Sequence, residues 1–155
     1  MAINELKERD ETSENVKFSR LEKQFKELLN LLRQRELPDK IIEMINEDIQ
    51  ELNSLALIGN DLRKLFKQKQ TKILKLLEKE LKIAPKNHYR NLWSGVGIAV
   101  FGIPIGFALY SIGGSNTAFY AGGIPIGMVI GMSVGSSMDK KAHKEGRQLD
   151  IIIKY

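Results

Sequence analysis

Apolar positions follow two different regimes along the chain. In the first eighty or so residues they recur at helical steps among charged residues, whereas from Asn91 to Met138 no charged residue occurs at all. Phe18, Leu21, Phe25, Leu28 and Leu32 alternate steps of three and four, the seam of a coiled-coil helix starting near Thr12 or Ser13. Leu37-Pro38-Asp39 interrupts it, with Pro38 suited to a turn or to the first position of a new helix. A second face follows in Ile41, Ile42, Ile45, Ile49, Leu52 and Leu55, and a third in Leu62, Leu65, Phe66, Ile73, Leu76, Leu77 and Leu81, ending before Ala84-Pro85. Between them, Gly59-Asn60-Asp61 can stop one helix and cap the next. A break there makes residues 1–85 a three-helix bundle; no break makes them a coiled-coil hairpin whose long second arm continues as a stalk. An isolated glycine inside a helix costs only about 1 kcal/mol, which tips the expectation toward the stalk.

The uncharged stretch divides into two passes, about 92–112 and 118–138, each close to the ~20 residues that cross a hydrocarbon core as helix. Gly113-Gly114-Ser115-Asn116-Thr117 between them is turn chemistry. Val96 to Phe101 alternates loosely, as a strand does, but Pro104 and Pro125 remove ladder donors and two strands cannot close a barrel in lipid. The predicted class is therefore all-α, a helical region followed by a two-helix transmembrane hairpin over 91–138. Each proline should kink or break its helix near the start of the pass.

Glycine makes the hairpin unusual, because eleven of the chain's thirteen glycines lie inside it. Gly102-Ile103-Pro104-Ile105-Gly106 recurs as Gly123-Ile124-Pro125-Ile126-Gly127, twenty-one residues later, and the second copy continues through Gly131 and Gly135. A glycine at every fourth position cuts a shallow groove along one helix face. In lipid, such small-residue faces let helices meet backbone to backbone, so Gly102, Gly106, Gly123, Gly127, Gly131 and Gly135 are the predicted helix-packing residues, within one hairpin or between copies.

Charge then gives the hairpin a direction. Residues 1–60 carry nine basic against thirteen acidic side chains, but residues 61–90 carry ten against three. This basic segment abuts the first pass, Lys140 and Lys141 follow the second, and the turn is uncharged. By the positive-inside tendency both ends face the cytoplasm, with 139–155 a basic tail. Lys82, Lys86, Arg90, Lys140 and Lys141 are the candidates for anionic lipid headgroups, each worth roughly 1 kcal/mol close to the surface. Nucleic acid is a rival partner for a basic helix, but no binding motif and no interleaved stacking aromatics accompany it. Trp93, Tyr110 and Tyr120 suit the two interfacial belts. Met1 to Asp10 lacks the basic-then-apolar run of a secretory signal, so the internal segments are expected to drive insertion.

Catalytic chemistry is thinly provided. The chain has no cysteine, and His88 and His143 are its only histidines, far apart and in basic surroundings. Asp139, His143 and Glu145 show no established metal spacing. The glycine runs end in no Gly-Lys-Ser/Thr, so they form no phosphate loop. The passes contain no Asp, Glu, His, Lys or Arg that could carry protons or ions. The expectation is a protein without catalytic residues, metal or cofactor.

The block Gly102–Gly106, the run Gly123–Gly135, and Ser136-Ser137-Met138-Asp139-Lys140-Lys141 with Glu145-Gly146-Arg147-Gln148-Leu149-Asp150 resemble small bacterial glycine-zipper membrane proteins of uncharacterised function. The resemblance spans about the last seventy residues, beginning near Ile73, and implies a helical hairpin in a bacterial inner membrane; it implies no activity. Three roles follow as expectations: a structural or scaffolding protein that forms homo-oligomers through its zipper helices and recruits a cytoplasmic partner through residues 13–83; a pore or membrane-disrupting effector; or a membrane-anchored coiled-coil adaptor.

Overall fold

The computed structural model describes residues 2–7, 16–55, 59–114 and 117–154, apart from the side chains at 16 and 17. Among the described residues the regular secondary structure is helical except for two paired two-residue strands, β1 (Ala84–Pro85) and β2 (Gln148–Leu149), and the chain forms two compact units, Met1–Ala84 with Leu149–Tyr155, and Pro85–Gln148.

The first unit is built on α1 (Val16–Arg33), α2 (Asp39–Ser54) and α3 (Gly59–Leu81). The expected start of α1 near Thr12 or Ser13 falls outside the described residues. The alternating seam of α1 is buried along its whole length, from Phe18 to Leu32, and the isoleucines of α2 and Leu62, Phe66, Ile73 and Leu77 of α3 complete the core. Phe66 receives Phe18 and Phe25 edge-on at 5.1 and 5.8 Å, the favoured aromatic geometry.

The continuous stalk across Gly59 does not form. Leu55 turns extended (φ −83°, ψ 129°), and Gly59 opens α3 at φ +64°, where a side chain would be strained. A small propensity cost is no guide where the backbone needs a left-handed residue, so three helices result.

A polar stretch of α3 is also turned inward. Phe66 and Ile73 are core positions, and the helix turn between them carries Lys69 and Gln70 into the interior. Lys69 Nζ donates to Asp48 Oδ1 at 2.8 Å and to Glu51 Oε2 at 2.5 Å, and Lys72 Nζ reaches the same Asp48 oxygen at 2.8 Å. Burial alone would lower the Lys69 pKa, but the hydrogen bonds and charges of Asp48 and Glu51 outweigh it and hold the ammonium above its ordinary value. Lys69 is thus part of the bundle's interior, whereas in the sequence it is only one of the ten basic residues of the segment 61–90.

The tail expected over 139–155 is not one segment. Residues 139–144 continue the last helix, while Leu149 and Ile151 are buried in the first unit, because two large apolar side chains gain more in that core than in water. The Lys154 N–H donates to Gln24 Oε1 at 2.9 Å and fixes the end of this segment.

Candidate membrane-spanning hairpin

The second unit contains two helical arms. The first, His88–Ile112, runs through α4 (His88–Gly97), a π-helical turn (Ile98–Gly102) and α5 (Ile103–Ile112). The second, Thr117–Lys144, consists of α6 (Thr117–Ala121) and α7 (Gly123–Lys144). Both are long and apolar enough to cross a membrane, and only 17% and 22% of their most apolar windows are buried within the chain. A core helix of a water-soluble domain would be mostly buried.

What is buried is small. Gly97, Gly102 and Gly106 are the buried residues of the first arm, and Gly123, Gly127, Gly131 and Gly135 head those of the second. The large apolar side chains, including Leu92, Val100, Phe107, Ile112 and Val129, are exposed. The glycines face one another in antiparallel register. A Cβ added to Gly97 would stand 2.7 Å from Gly131 Cα, one on Gly127 2.6 Å from Gly102 Cα, and one on Gly123 2.5 Å from Gly106 Cα. No real side chain tolerates such contacts, so the arms meet backbone to backbone within a single chain. Gly135 continues the row against Arg90, whose Cα would be 2.5 Å from an added Cβ. Gly95, by contrast, faces open space.

The π turn explains how the two glycine rows match. In α7 the spacing is a regular four, but Gly97 and Gly102 are five apart. On an unbroken α-helix five residues rotate by about 500°, which would put Gly102 some 140° away from the face of Gly97. The Ile103 N–H instead reaches back five residues to Ile98 O, and this wider turn absorbs the extra residue. Pro104 lies just beyond, where its missing N–H and its ring disfavour ordinary α hydrogen bonding to the preceding turn. Pro125, in the identical pentapeptide, lies in the first turn of α7, where its N–H would have no helical partner anyway. The same five residues therefore occupy two backbones: a bulged helix in one arm and a fresh helix start after the Gly122 turn in the other.

Asp139 takes the next position in the row, four residues after Gly135, and is 7% exposed. Its Oδ1 accepts the Tyr89 N–H at 3.1 Å and its Oδ2 the Arg90 N–H at 3.0 Å, so a carboxylate from the end of the second arm caps the start of the first. That helix start has no cap of its own, because Asn87, with φ 61°, makes no side-chain capping bond. A negative charge against the positive end of the helix dipole adds to the two hydrogen bonds. The sequence alone assigns Asp139 no part in joining the arms; the available signal is its place in the four-residue rhythm.

Lys86, Arg90 and Lys140 line a cleft of about 460 Å³ beside Asp139, together with His143 and Lys144. Lys141 is exposed but does not line it, and Lys82 belongs to the other unit, exposed at φ 56°. Glu145 lies apart in an ion pair with Arg147, whose guanidinium donates to its carboxylate and holds it below the ordinary value. Among the described residues no group of three or more His, Cys, Asp or Glu side chains is placed to hold a metal ion. No family model, curated protein or solved structure matches this chain.

Proposed function

We propose that the protein is an integral membrane scaffold: a two-pass helical hairpin, stiffened by its glycine faces, that anchors a three-helix bundle at the cytoplasmic side of a bacterial inner membrane. One observation carries the reading. Within the uncharged stretch 91–138 the buried residues are glycines and the large apolar side chains are exposed, the reverse of a water-soluble helix pair and the arrangement expected when the surroundings are hydrocarbon. The cations at the charged end of the hairpin, Lys86, Arg90, Lys140 and Lys141, support a cytoplasmic placement of both ends, and the cleft beside Asp139 suits an anionic lipid headgroup.

The glycine faces are occupied within the chain, so they support a rigid hairpin. Assembly of copies in the bilayer runs, in this reading, through the exposed faces left over. No charged ring lines either arm, which favours a scaffold over a pore.

The test is the mass and extractability of the full-length chain, wild type beside Gly127→Leu. The scaffold reading expects a protein that requires detergent or nanodiscs, and a mutant whose arms separate. A wild-type chain that is soluble and monodisperse without detergent would overturn it, and conductance in planar bilayers would replace it with the pore.

A further inference from the structure

Residues 2–7 have no regular secondary structure, yet their backbone is gripped by side chains of two helices. On α2, Asn46 Oδ1 accepts the Asn4 N–H at 2.7 Å while its Nδ2 donates to Ala2 O at 2.9 Å. One heptad further along, Asn53 repeats the arrangement, with Oδ1 accepting the Lys7 N–H at 3.0 Å and Nδ2 donating to Glu5 O at 2.9 Å. Each amide therefore brackets one residue, and the bracketed residues, Ile3 and Leu6, are the two that are buried, at 7% and 8% exposure. From α1, Arg33 donates to Ile3 O at 3.2 Å and to Asn4 O at 2.7 Å.

The two spacings are commensurate. Seven helical residues rise about 10.5 Å. Three residues of extended chain cover about 10 Å. The pair Asn46 and Asn53 thus measures out an extended peptide with apolar residues three apart, running parallel to α2. All six hydrogen bonds end on main-chain atoms of the segment, so they recognise an extended backbone, and the two apolar anchors supply the selection.

We propose that this α1–α2 groove is a receptor site for an extended peptide, and that the ligand it takes in trans is the same segment, Ala2–Lys7, of a second copy of the chain. A second copy offers the identical pair of anchors and the identical backbone. Nine peptide steps separate Lys7 from Val16, a reach of up to about 30 Å. Five of the six hydrogen bonds are solvent-exposed, where water competes and each contributes only modestly, so the segment can leave one groove and enter another without unfolding the helices. This inference goes beyond the membrane reading and does not depend on it.

The chain's lack of cysteine makes the exchange directly measurable. Glu5 and Lys26 line the same cleft. Full-length Glu5→Cys chains are mixed with full-length Lys26→Cys chains of different tag mass, in proteoliposomes or in solution as the protein requires, and oxidised. The expected product is a mixed disulfide dimer that falls at least about tenfold when the Lys26→Cys chain also carries Asn46→Ala and Asn53→Ala. If those substitutions unfold the acceptor by circular dichroism, Ile3→Asp on the Glu5→Cys chain removes the ligand's anchor and leaves the acceptor intact, with the same expected fall. Crosslinking that survives these changes is collisional and overturns the proposal. So does a result in which only a chain carrying both cysteines crosslinks, internally, because the segment is then a fixed brace.

Discussion

Asp139 and Arg90 stand 49 residues apart in the chain, and Asp139 Oδ2 accepts the Arg90 backbone N–H at 3.0 Å. With the parallel bond to Tyr89, this gives the first arm of the hairpin a cap supplied by the second, and so couples the antiparallel register of the arms to the start of a helix. Asp139→Asn keeps the shape but removes the charge and turns one oxygen into a donor facing an N–H. It should destabilise the hairpin by about 1–2 kcal/mol. Amide exchange at Tyr89 and Arg90 should quicken relative to the middle of α4. Unchanged protection at both amides would show that the carboxylate contributes nothing there.

Gly95 and Gly97 are two residues apart and predict opposite outcomes. Gly97→Ala drives a methyl into the backbone of Gly127 and Gly131, so the arms must part, at an expected cost of about 2 kcal/mol or more. Gly95 meets nothing within 4 Å, so Gly95→Ala should be neutral or stabilising by up to about 1 kcal/mol through helix propensity. Reversible unfolding in mixed micelles measures both. Equal effects at the two positions would mean that the close approach has no energetic weight.

The apolar patterns of α1 to α3 and the two arms are legible in the sequence because each is a local periodicity of one residue class. The break at Gly59 is not, since it depends on a backbone angle of +64° that the identity of glycine permits but does not require. The inward turn of Lys69 escapes for another reason: its partners Asp48 and Glu51 lie on α2, and only the fold brings them to α3. Of the glycine rows, the α7 row is readable from its constant spacing, whereas Gly97 is out of step on an unbroken α-helix and only the π turn restores it. The Asn46 and Asn53 pair is visible as a heptad repeat, but nothing local says that its target is residues 2–7.

Lys69 gives the bundle an alkaline limit. Its pKa in the folded chain lies above the ordinary 10.5, so its contribution to stability is complete at lower pH and is lost as pH rises through the folded value. The stability of wild type relative to Lys69→Met should be flat from neutral pH to about 10 and should fall beyond 10.5. Denaturant titrations of the full chain at a series of pH values would show it. A difference independent of pH up to 11.5 would mean that the ammonium's partners do not favour its charged form.

The π turn supplies the last prediction, because it is the only place where one arm carries a residue more than the other between successive facing glycines. If its purpose is to absorb that residue, deleting Ala99 should convert the Gly97–Gly102 spacing to four, let the arm run as ordinary helix, and keep both glycines against Gly131 and Gly127. The cost should be within about 1 kcal/mol, since one backbone irregularity is traded for an added α hydrogen bond near Pro104. Deleting Met132 instead removes a residue from the regular row and rotates Gly135 and Asp139 by about 100° away from the first arm. That variant loses the cap on Tyr89 and Arg90 together with the last glycine contact, and should be destabilised by about 2 kcal/mol or more. Spin labels on cysteines placed at Leu92 and Val134, in a chain with no native thiol, report whether the arms stay paired. If the Ala99 deletion separates the arms as the Met132 deletion does, the five-residue spacing is itself required, and the π turn holds the register by its shape and not by its count.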